Sequence, residues 1–559
     1  GRAGRAGAGG RRRPGPDAPR PPGQVRARGE GAAAKYVHLV AAAPVCYQRG
    51  GTGAPAAPQA GRGAQGSTRD PEAAVTPSAR PPLAPLESAV TCSFHDAGTL
   101  DRYRQATLDI LARVGVRVES ERALTLLQEQ GAEVDRERRL ARLPEDLVLA
   151  AMACAPRRFA LGARDPSCDI AVGDGRTYCT TDGCGVEIVD PFTGERRPST
   201  KADVALVTRL QDALPSIAFW WPTVGAGDCG ETAQLHELDA GWNNTVKHLQ
   251  GMVNGERAAR FAVEMAAAVA GSSEELRRRP PLSALLGTVS PLVLDRDAID
   301  AALVFAAAGV PVAFVSMPTL GTTAPATRAG AYALGAAELV AATVVVQLAH
   351  PGAPVLHSIM QSYADPRSGG FIGFPLDHRA RSLATELAHH WGVPAEPAAC
   401  GTDSPRAGTW QAGVEDGVDL ALAALEGADL LPSIGLVATY TRFEAEHLLL
   451  GDDIYHRVRY ALLREEVTPE TLALDAIADV GPGGHFLAHR HTRRHMPEAV
   501  VRGLAHVPAP GGHGYRDPVE VARERALALL REHEPEPLPD DVAAELRRLL
   551  AAADAELRG

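Results

Sequence analysis

Lysine is almost missing from this chain: Lys35, Lys201 and Lys247 are the only three in 559 residues. Nearly all positive charge is therefore arginine. Together with the abundant alanine, glycine and proline this looks like codon bias in a GC-rich genome, so the arginine count carries no functional weight. Cysteine is sparse too, eight residues with no C-x-x-C pair. Cys179 and Cys184 are close in sequence, but no histidine stands near them at zinc-finger spacing, so free thiols are expected. That usage fits a reducing, cytoplasmic compartment. No G-x-G-x-x-G follows a strand, which weighs against a dinucleotide site, and neither a P-loop nor a G-x-S-x-G elbow occurs.

Charge is uneven. Residues 1–90 carry a net +8 and the remainder a net −19, which together give −11. So acidic a body is a poor nucleic-acid binder and suits an enzyme with a cationic substrate or partner. Long apolar runs are few. The stretch 325–349 raises a membrane question, but Arg328, Glu338 and Gln347 interrupt it, and charges at a bilayer centre are costly. A helix packed in a large core is expected there, with no membrane partner.

What is present is organised around Gly309 to His350. Val310 to Met317 is an apolar run of a length that suits a strand buried on both faces. Pro318 to Thr323 is a glycine- and threonine-rich loop, and a long alanine-rich helix opens at Pro325. In α/β proteins the loop after such a strand is where ligands bind.

The unit repeats. Strands are expected at 186–189, 216–221, 245–251, 284–288, 311–316, 354–358, 396–400 and 429–434. Helices are expected at 200–213, 231–240, 256–278, 295–308, 325–349, 377–391 and 411–427, with a last one at 444–463. Eight β/α units over about 280 residues match the size of a (β/α)8 TIM barrel; a doubly wound open sheet is the alternative. The domain reading is a disordered low-complexity tail over 1–90, a helical cap with hairpins over 91–185, a barrel core over 186–465, and a covering loop with helices over 466–559. The tail cannot bury enough apolar surface to offset its ordering entropy and is left out of the fold reasoning. Hairpin signals stand at Asp174-Gly175, Asp182-Gly183 and Thr193-Gly194; Asp182, Gly183 and Gly185 read more readily as turn residues than as a site.

A barrel would bring the strand ends to one mouth: Trp220, Trp221, Lys247, His248, Thr288, Ser290, Ser316, Met317, His357, Met360, Thr402, Asp403, Ser433 and Gly435. This set has neither an acid cluster for magnesium nor a three-histidine metal site, and no metal is assigned. His485, His489, His491 and His495 are dense, but on a glycine-rich loop they read as a cover for the barrel rather than a metal centre.

Several stretches then carry a resemblance: N-N-T-V-K-H (243–248), G-T-V-S-P-L (287–292), G-T-T-A-P-A-T-R-A-G (321–330), A-E-L-V-A (337–341), P-G-A-P-V (351–355), D-P-R-S-G (365–369), Q-A-G-V-E (411–415) and G-P-G-G-H-F-L (481–487). Together they resemble the trimethylamine methyltransferase family, in the branch that lacks pyrrolysine and includes glycine betaine methyltransferases. The resemblance implies a TIM barrel whose mouth accepts a small methylated amine. It also implies cobalamin as cofactor, carried by a partner corrinoid protein that docks over the mouth and takes the methyl group on Co(I). Met317, Thr322 and Thr323 are assigned to the corrinoid-facing rim, and a homo-oligomer is expected.

Pyrrolysine-containing relatives carry that residue just before an S-D-x-K-like segment. The corresponding stretch here is Cys400 to Arg406, with Thr402 at the position in question, Asp403 beside it and Arg406 in place of the lysine. No standard side chain supplies an imine, which turns the reading toward a quaternary ammonium. Such a substrate already carries its charge and leaves as a neutral tertiary amine. The protein then needs orientation and a dry cavity more than acid–base groups. Aromatic faces suit that cation; Trp220, Trp221, Trp242, Tyr363, Phe371, Phe374 and Trp410 are the candidates. A betaine carboxylate would want a cation or paired donors, from Lys247, His248, His357 or Arg367. Thr402, Asp403 and His357 are the expected catalytic residues. The rivals are a methyltransferase for another methylated amine, a silent ligand-binding barrel, and a lyase or aldolase using Lys247 as a Schiff base.

Overall fold

A computed structural model describes residues 82–373, 378–397, 401–499 and 503–558. Its centre is a closed ring of parallel strands. β1 (Tyr178–Thr181), β2 (Phe219–Trp220), β3 (His248–Gly251), β4 (Leu282–Gly287), β5 (Val312–Ser316) and β6 (Val355–Ile359) follow in chain order. β2 to β6 form one parallel sheet, in register at His248↔Phe219, Leu249↔Leu282, Ala284↔Val312 and Val312↔Val355. The seventh stave is the extended segment 394–397: the His357 amide donates to Pro394 O and the Glu396 amide returns to His357 O. It bonds in turn to β7 (Leu430–Ile434), whose leading amides donate to Ala395 O. β7 pairs in parallel with β1 at Leu430↔Tyr178 and Leu431↔Cys179, and Ala218 N donates to Cys179 O, so the ring closes. Eight staves make a (β/α)8 barrel.

Each stave is followed by a helix on the outside: α1 (Lys201–Ala213), α2 (Ala233–Asn244), α3 (Glu256–Ala270), α4 (Arg296–Ala308), α5 (Arg328–Ala349), α6 (His378–Trp391), α7 (Trp410–Glu426) and α8 (Ala445–Leu462). Local chemistry starts and stops them. Asp295 caps α4 by accepting from the Asp297 and Ala298 amides, and left-handed Gly309 ends it. Thr200 and Asp203 form a capping box at α1. α5 is long and apolar enough to cross a membrane, yet nearly all of its most apolar stretch is buried against the barrel.

Two expectations are corrected. The first barrel strand is Tyr178–Thr181, not 186–189. Glu187–Val189 instead pairs with Arg196–Pro198 and Arg442–Phe443, a small sheet outside the ring. Second, the last residues of the expected tail belong to the fold: Leu86 is buried and exchanges backbone hydrogen bonds with Thr177. Residues 1–81 lie outside the described residues.

The N-terminal end of the barrel is plugged. The hairpin of Phe159–Leu161 and Ile170–Val172 sends Leu161, Ile170 and Val172 into the interior, where they pack with Tyr178, Phe219, Leu285, Ala313, Val315, Leu356 and Leu430. The other end, where the strands finish, is the remaining mouth.

Candidate active site

Residues alternate between the two faces of each stave. On β1, Cys179 and Thr181 turn outward, Thr181 hydroxyl meeting Thr223 and Gln211 under α1. Tyr178, Thr180 and Asp182 form the opposite set. After β2, Trp221 faces inward; it packs in the interior cluster with Met252 and Met360, and Gly183 lies flat against its ring. Its indole N–H is buried without a partner. Gln250 and Glu396 meet across the barrel, the amide donating to the carboxylate at 3.0 Å.

These groups leave open valences. Glu396 Oε1, Gln250 Oε1 and Asp182 Oδ2 are buried acceptors without a partner, and Trp221 Nε1 is a buried donor without one. Buried polar groups are normally satisfied, so a cluster of exceptions at a barrel mouth marks a ligand site. Burial raises the Glu396 carboxyl to about 8, against the opposing pull of the Gln250 amide. Burial also holds Asp182 well above the usual carboxylate range, with the Gly183 amide and the Arg381 charge opposing. Arg381 is itself tied to Asp419 at 2.8 Å.

Three loops close over the rim beside Asp182. A Cβ on Gly401 would collide with Asp182 and with the Tyr440 ring, and a Cβ on Gly373 would lie 2.8 Å from Asp403 Oδ1 and 2.9 Å from Tyr440. Tyr440 is held there by strain: Ala438, Thr439 and Tyr440 are consecutive left-handed residues with φ of 55°, 57° and 64°. Each non-glycine residue in that region costs roughly 1–2 kcal/mol. The Ala438 and Thr439 amides donate to Ser404 O at 2.7 Å and Thr402 O at 3.1 Å, which hold the turn.

The expected site residues fall into groups. Trp221 lines the mouth. Asp403 sits on the rim with Tyr440, its carboxyl raised by burial. Tyr363 lies in a rim strand, Ser362–Ala364, where its hydroxyl accepts from Gln361. Met317, half exposed at 51%, and Thr322 and Thr323 occupy the β5 loop. Arg367 is 91% exposed in a rim turn and pairs with Asp365. The Phe371 side chain, Phe374 and Cys400 lie outside the described residues.

Others are not brought to the mouth. Trp220 turns outward and donates to Thr208 of α1 at 2.8 Å. Lys247 is buried at the opposite end of β3, with Nζ donating to Gln211 O and Leu214 O at the end of α1. That burial and placement remove it as a Schiff-base candidate at the mouth. His248 is at the plugged end, bonded to Gly162 O and Ser283. His357 faces α5, where Nε2 meets Thr343 Oγ1 at 2.9 Å; burial lowers its imidazole to about 3. Thr402 turns away from the mouth and donates to Glu415 of α7. Trp242 packs outside the ring and Trp410 is in solvent. Among the described residues no histidine-rich group is arranged to hold a metal ion.

Two stretches that carried the resemblance prove to be one staple. The Glu338 carboxylate accepts from Thr288 Oγ1, Ser290 Oγ, Leu292 N and Ser316 Oγ at 2.7–3.0 Å. The hydroxyls expected at the mouth are therefore spent on fixing the β4 and β5 loops to α5.

With the barrel and its mouth established, similarity to known proteins is decisive. The profile of the family described as Trimethylamine methyltransferase (MTTB) matches residues 60–557. The chain belongs to that family. It is 33% identical over 460 residues to trimethylamine methyltransferase MttB of Desulfitobacterium hafniense (strain DSM 10664 / DCB-2), covering 81% of this chain and 92% of that protein. It is 30% identical to trimethylamine methyltransferase MttB of Methanosarcina barkeri (strain Fusaro / DSM 804), covering 84% and 97%. It is 29% identical to a glycine betaine methyltransferase of Desulfitobacterium hafniense (strain Y51), covering 71% and 82%. The chain is thus a methyltransferase, and its family membership implies a small methylated amine as substrate.

Sequence reasoning passed over Glu396, Gln250 and Tyr440 and read Asp182 as a turn residue. Each is a single polar residue at a strand end or in a loop. The available signal was glycine: Gly183, Gly373 and Gly401 stand where a neighbour's ring or carboxylate needs the space.

Proposed function

We propose that this chain moves a methyl group from a quaternary ammonium compound to the cobalt of a corrinoid carried by a partner protein. The observation that carries this reading is the mouth itself: an inward indole, two thioethers and buried carboxyls with open oxygens. Such a surface is complementary to a methylated cation. The Trp221 face contributes roughly 0.5–2 kcal/mol to holding it, and Glu396, whose carboxyl stands at about 8, adds a charge in a low-dielectric setting once it ionises. Met252 and Met360 give the methyl groups an apolar wall that excludes water.

The corrinoid in its Co(I) state supplies the nucleophile. This chain's part is to aim one N-methyl outward, toward the rim where Met317, Thr322, Thr323 and Arg367 are accessible to a docking partner. No proton need move when a quaternary nitrogen leaves as a neutral tertiary amine. The leaving amine also loses its attraction to Glu396 and Trp221, which favours release.

The test is methyl transfer from quaternary amines and from trimethylamine to Co(I) cobalamin, followed by absorbance. Transfer from a quaternary amine and none from trimethylamine supports the reading. Transfer from trimethylamine alone replaces it with tertiary-amine chemistry, as the names of the first two relatives would suggest.

A further inference from the structure

Going beyond that reading, we infer that residues 464–503 form an arm that packs on a second copy of this chain, against the outer face of its α7. The arm leaves the barrel at the end of α8 and returns where the Leu504 amide donates to Asp453. Between those points lie three short helices, Pro469–Leu472, Leu474–Val480 and Arg490–Ala499, the first started by a capping box of Thr468 and Thr471. Its bonds stay inside it. Thr471 donates to Glu466 O and Thr492 to Phe486 O, Arg494 pairs with Glu470 at 2.8 Å, and His489 lies 3.6 Å from Asp479. Among the described residues no hydrogen bond or ion pair joins 464–499 to the barrel. Its large apolar side chains are uncovered as well: Val467, Leu472, Leu474, Ile477, Leu487 and Met496 are exposed, and Ala476 is its one buried residue among those described. A segment that buries so little does not offset its ordering entropy by itself. Apolar surface left open in this way marks a contact with another molecule.

Two observations say which molecule. The first is place. α8 runs from the mouth toward the plugged end, and Leu462 O at its close accepts from the Ala89 amide, near the Leu86–Thr177 contact that precedes β1. The arm is therefore rooted away from the mouth, where the proposed corrinoid partner docks. The second is a matching surface. A surface helix ordinarily turns its charges outward, but α7 is inverted. Its four charged residues, Glu415, Asp416, Asp419 and Glu426, are all buried. Trp410, Val414 and Val418 share one face at i, i+4 and i+8 and are exposed, Trp410 by 83%. Beside them a Cβ on Gly413 would meet nothing within 4 Å, and one on Gly417 only Ile454 at 3.8 Å, so incoming side chains have room. The chain thus carries an apolar arm and an uncharged apolar helix face, neither of them covered. A second copy covers both at once, and reciprocal exchange closes the assembly. Charge agrees: Arg490 and Arg493 stand exposed without a carboxylate partner among the described residues, and the body that they would meet is strongly acidic. A stable interface takes about 20–30 residues a side, which an arm of this length and a helix face together supply.

The experiment is sedimentation equilibrium of the full chain alone, beside Ile477→Asp and Leu487→Asp in the arm and Trp410→Asp on α7. The expected result is a dimer or a larger closed ring, with each variant raising its dissociation constant by about tenfold or more. All three side chains are exposed in the single chain, so an unchanged far-ultraviolet circular dichroism spectrum shows that each variant is folded. Hydrogen exchange is the second readout: the amides of the three arm helices should be protected in concentrated protein and lose that protection on dilution. A monomer at every concentration overturns the inference. An assembly that the variants do not weaken also overturns it, by placing the contact elsewhere, and one weakened by the arm variants alone overturns α7 as the receiving face. Protection of the arm only after a corrinoid protein is added overturns the second copy as its occupant. None of these outcomes depends on methyl transfer, so this inference and the methyltransferase reading fail separately.

Discussion

Gln250 and Glu396 sit on opposite staves of the barrel, and the amide of one donates to the carboxylate of the other at 3.0 Å across the interior. The contact leaves one oxygen on each side chain without a partner. Burial, which the Gln250 amide opposes, raises that carboxyl to about 8.

Above pH 8, where the carboxyl is ionised, Glu396→Gln is expected to raise KM for a quaternary ammonium by about tenfold, because the lost charge held the bound cation. In the unaltered protein KM should fall as pH rises through about 8, since only the ionised carboxyl attracts the cation. A pH profile of kcat/KM for both forms checks this; a profile that Glu396→Gln leaves unchanged would count against the role.

Thermal stability should carry the same group with the opposite sense. Folded Glu396 keeps a proton that the unfolded chain releases above its ordinary value of 4.5, so its contribution to stability falls as pH rises from 4.5 to about 8. Buried His248, His357 and His447 are lowered to about 4, 3 and 4 from an ordinary 6.5. The unfolded chain takes up their protons first, so their contribution falls as pH drops from 6.5 toward 4. Melting temperature against pH, repeated with Glu396→Gln and His357→Gln, should flatten the slope above pH 6.5 and the slope below it respectively.

Lys247→Met should lower stability by about 1–3 kcal/mol, the cost of leaving buried carbonyls without their donor, and leave KM unchanged in the surviving folded protein. Denaturant unfolding and steady-state kinetics separate the two effects. A rise in KM as large as that of Glu396→Gln would return Lys247 to the mouth. Borohydride trapping of a carbonyl compound on the unaltered protein should fail.

Gly401→Ala is expected to reduce kcat/KM by about tenfold or more, since the new methyl displaces Asp182 or Tyr440 from the rim. Thr402→Val should instead cost about 1 kcal/mol of stability through the lost hydroxyl bond to Glu415, with a smaller kinetic effect. The reverse ranking would place Thr402, not Gly401, at the reacting centre.

Much of the architecture was legible. The eight outer helices lie close to where apolar spacing and caps put them, because each buries one face and exposes another. The first barrel strand was not. Tyr178–Thr181 reads Y-C-T-T, and a short strand lined with polar groups looks in sequence like part of a turn-rich region. The corrections at Trp220, Lys247 and His357 share a different cause. Trp220 and Trp221 are neighbours, as are Lys247 and His248, and in each pair the side chains point to opposite faces of a stave.

The sequence by itself determined the repeating strand–loop–helix order and the family; it left Lys247 open as a Schiff-base lysine. Only the tertiary structure decided which residues face the mouth. A strand exposed on one side announces its phase by alternating polar and apolar residues. A barrel strand is buried on both sides, so that alternation is absent, and the choice between inner and outer face is made by closure of the ring and by the helix packed behind it.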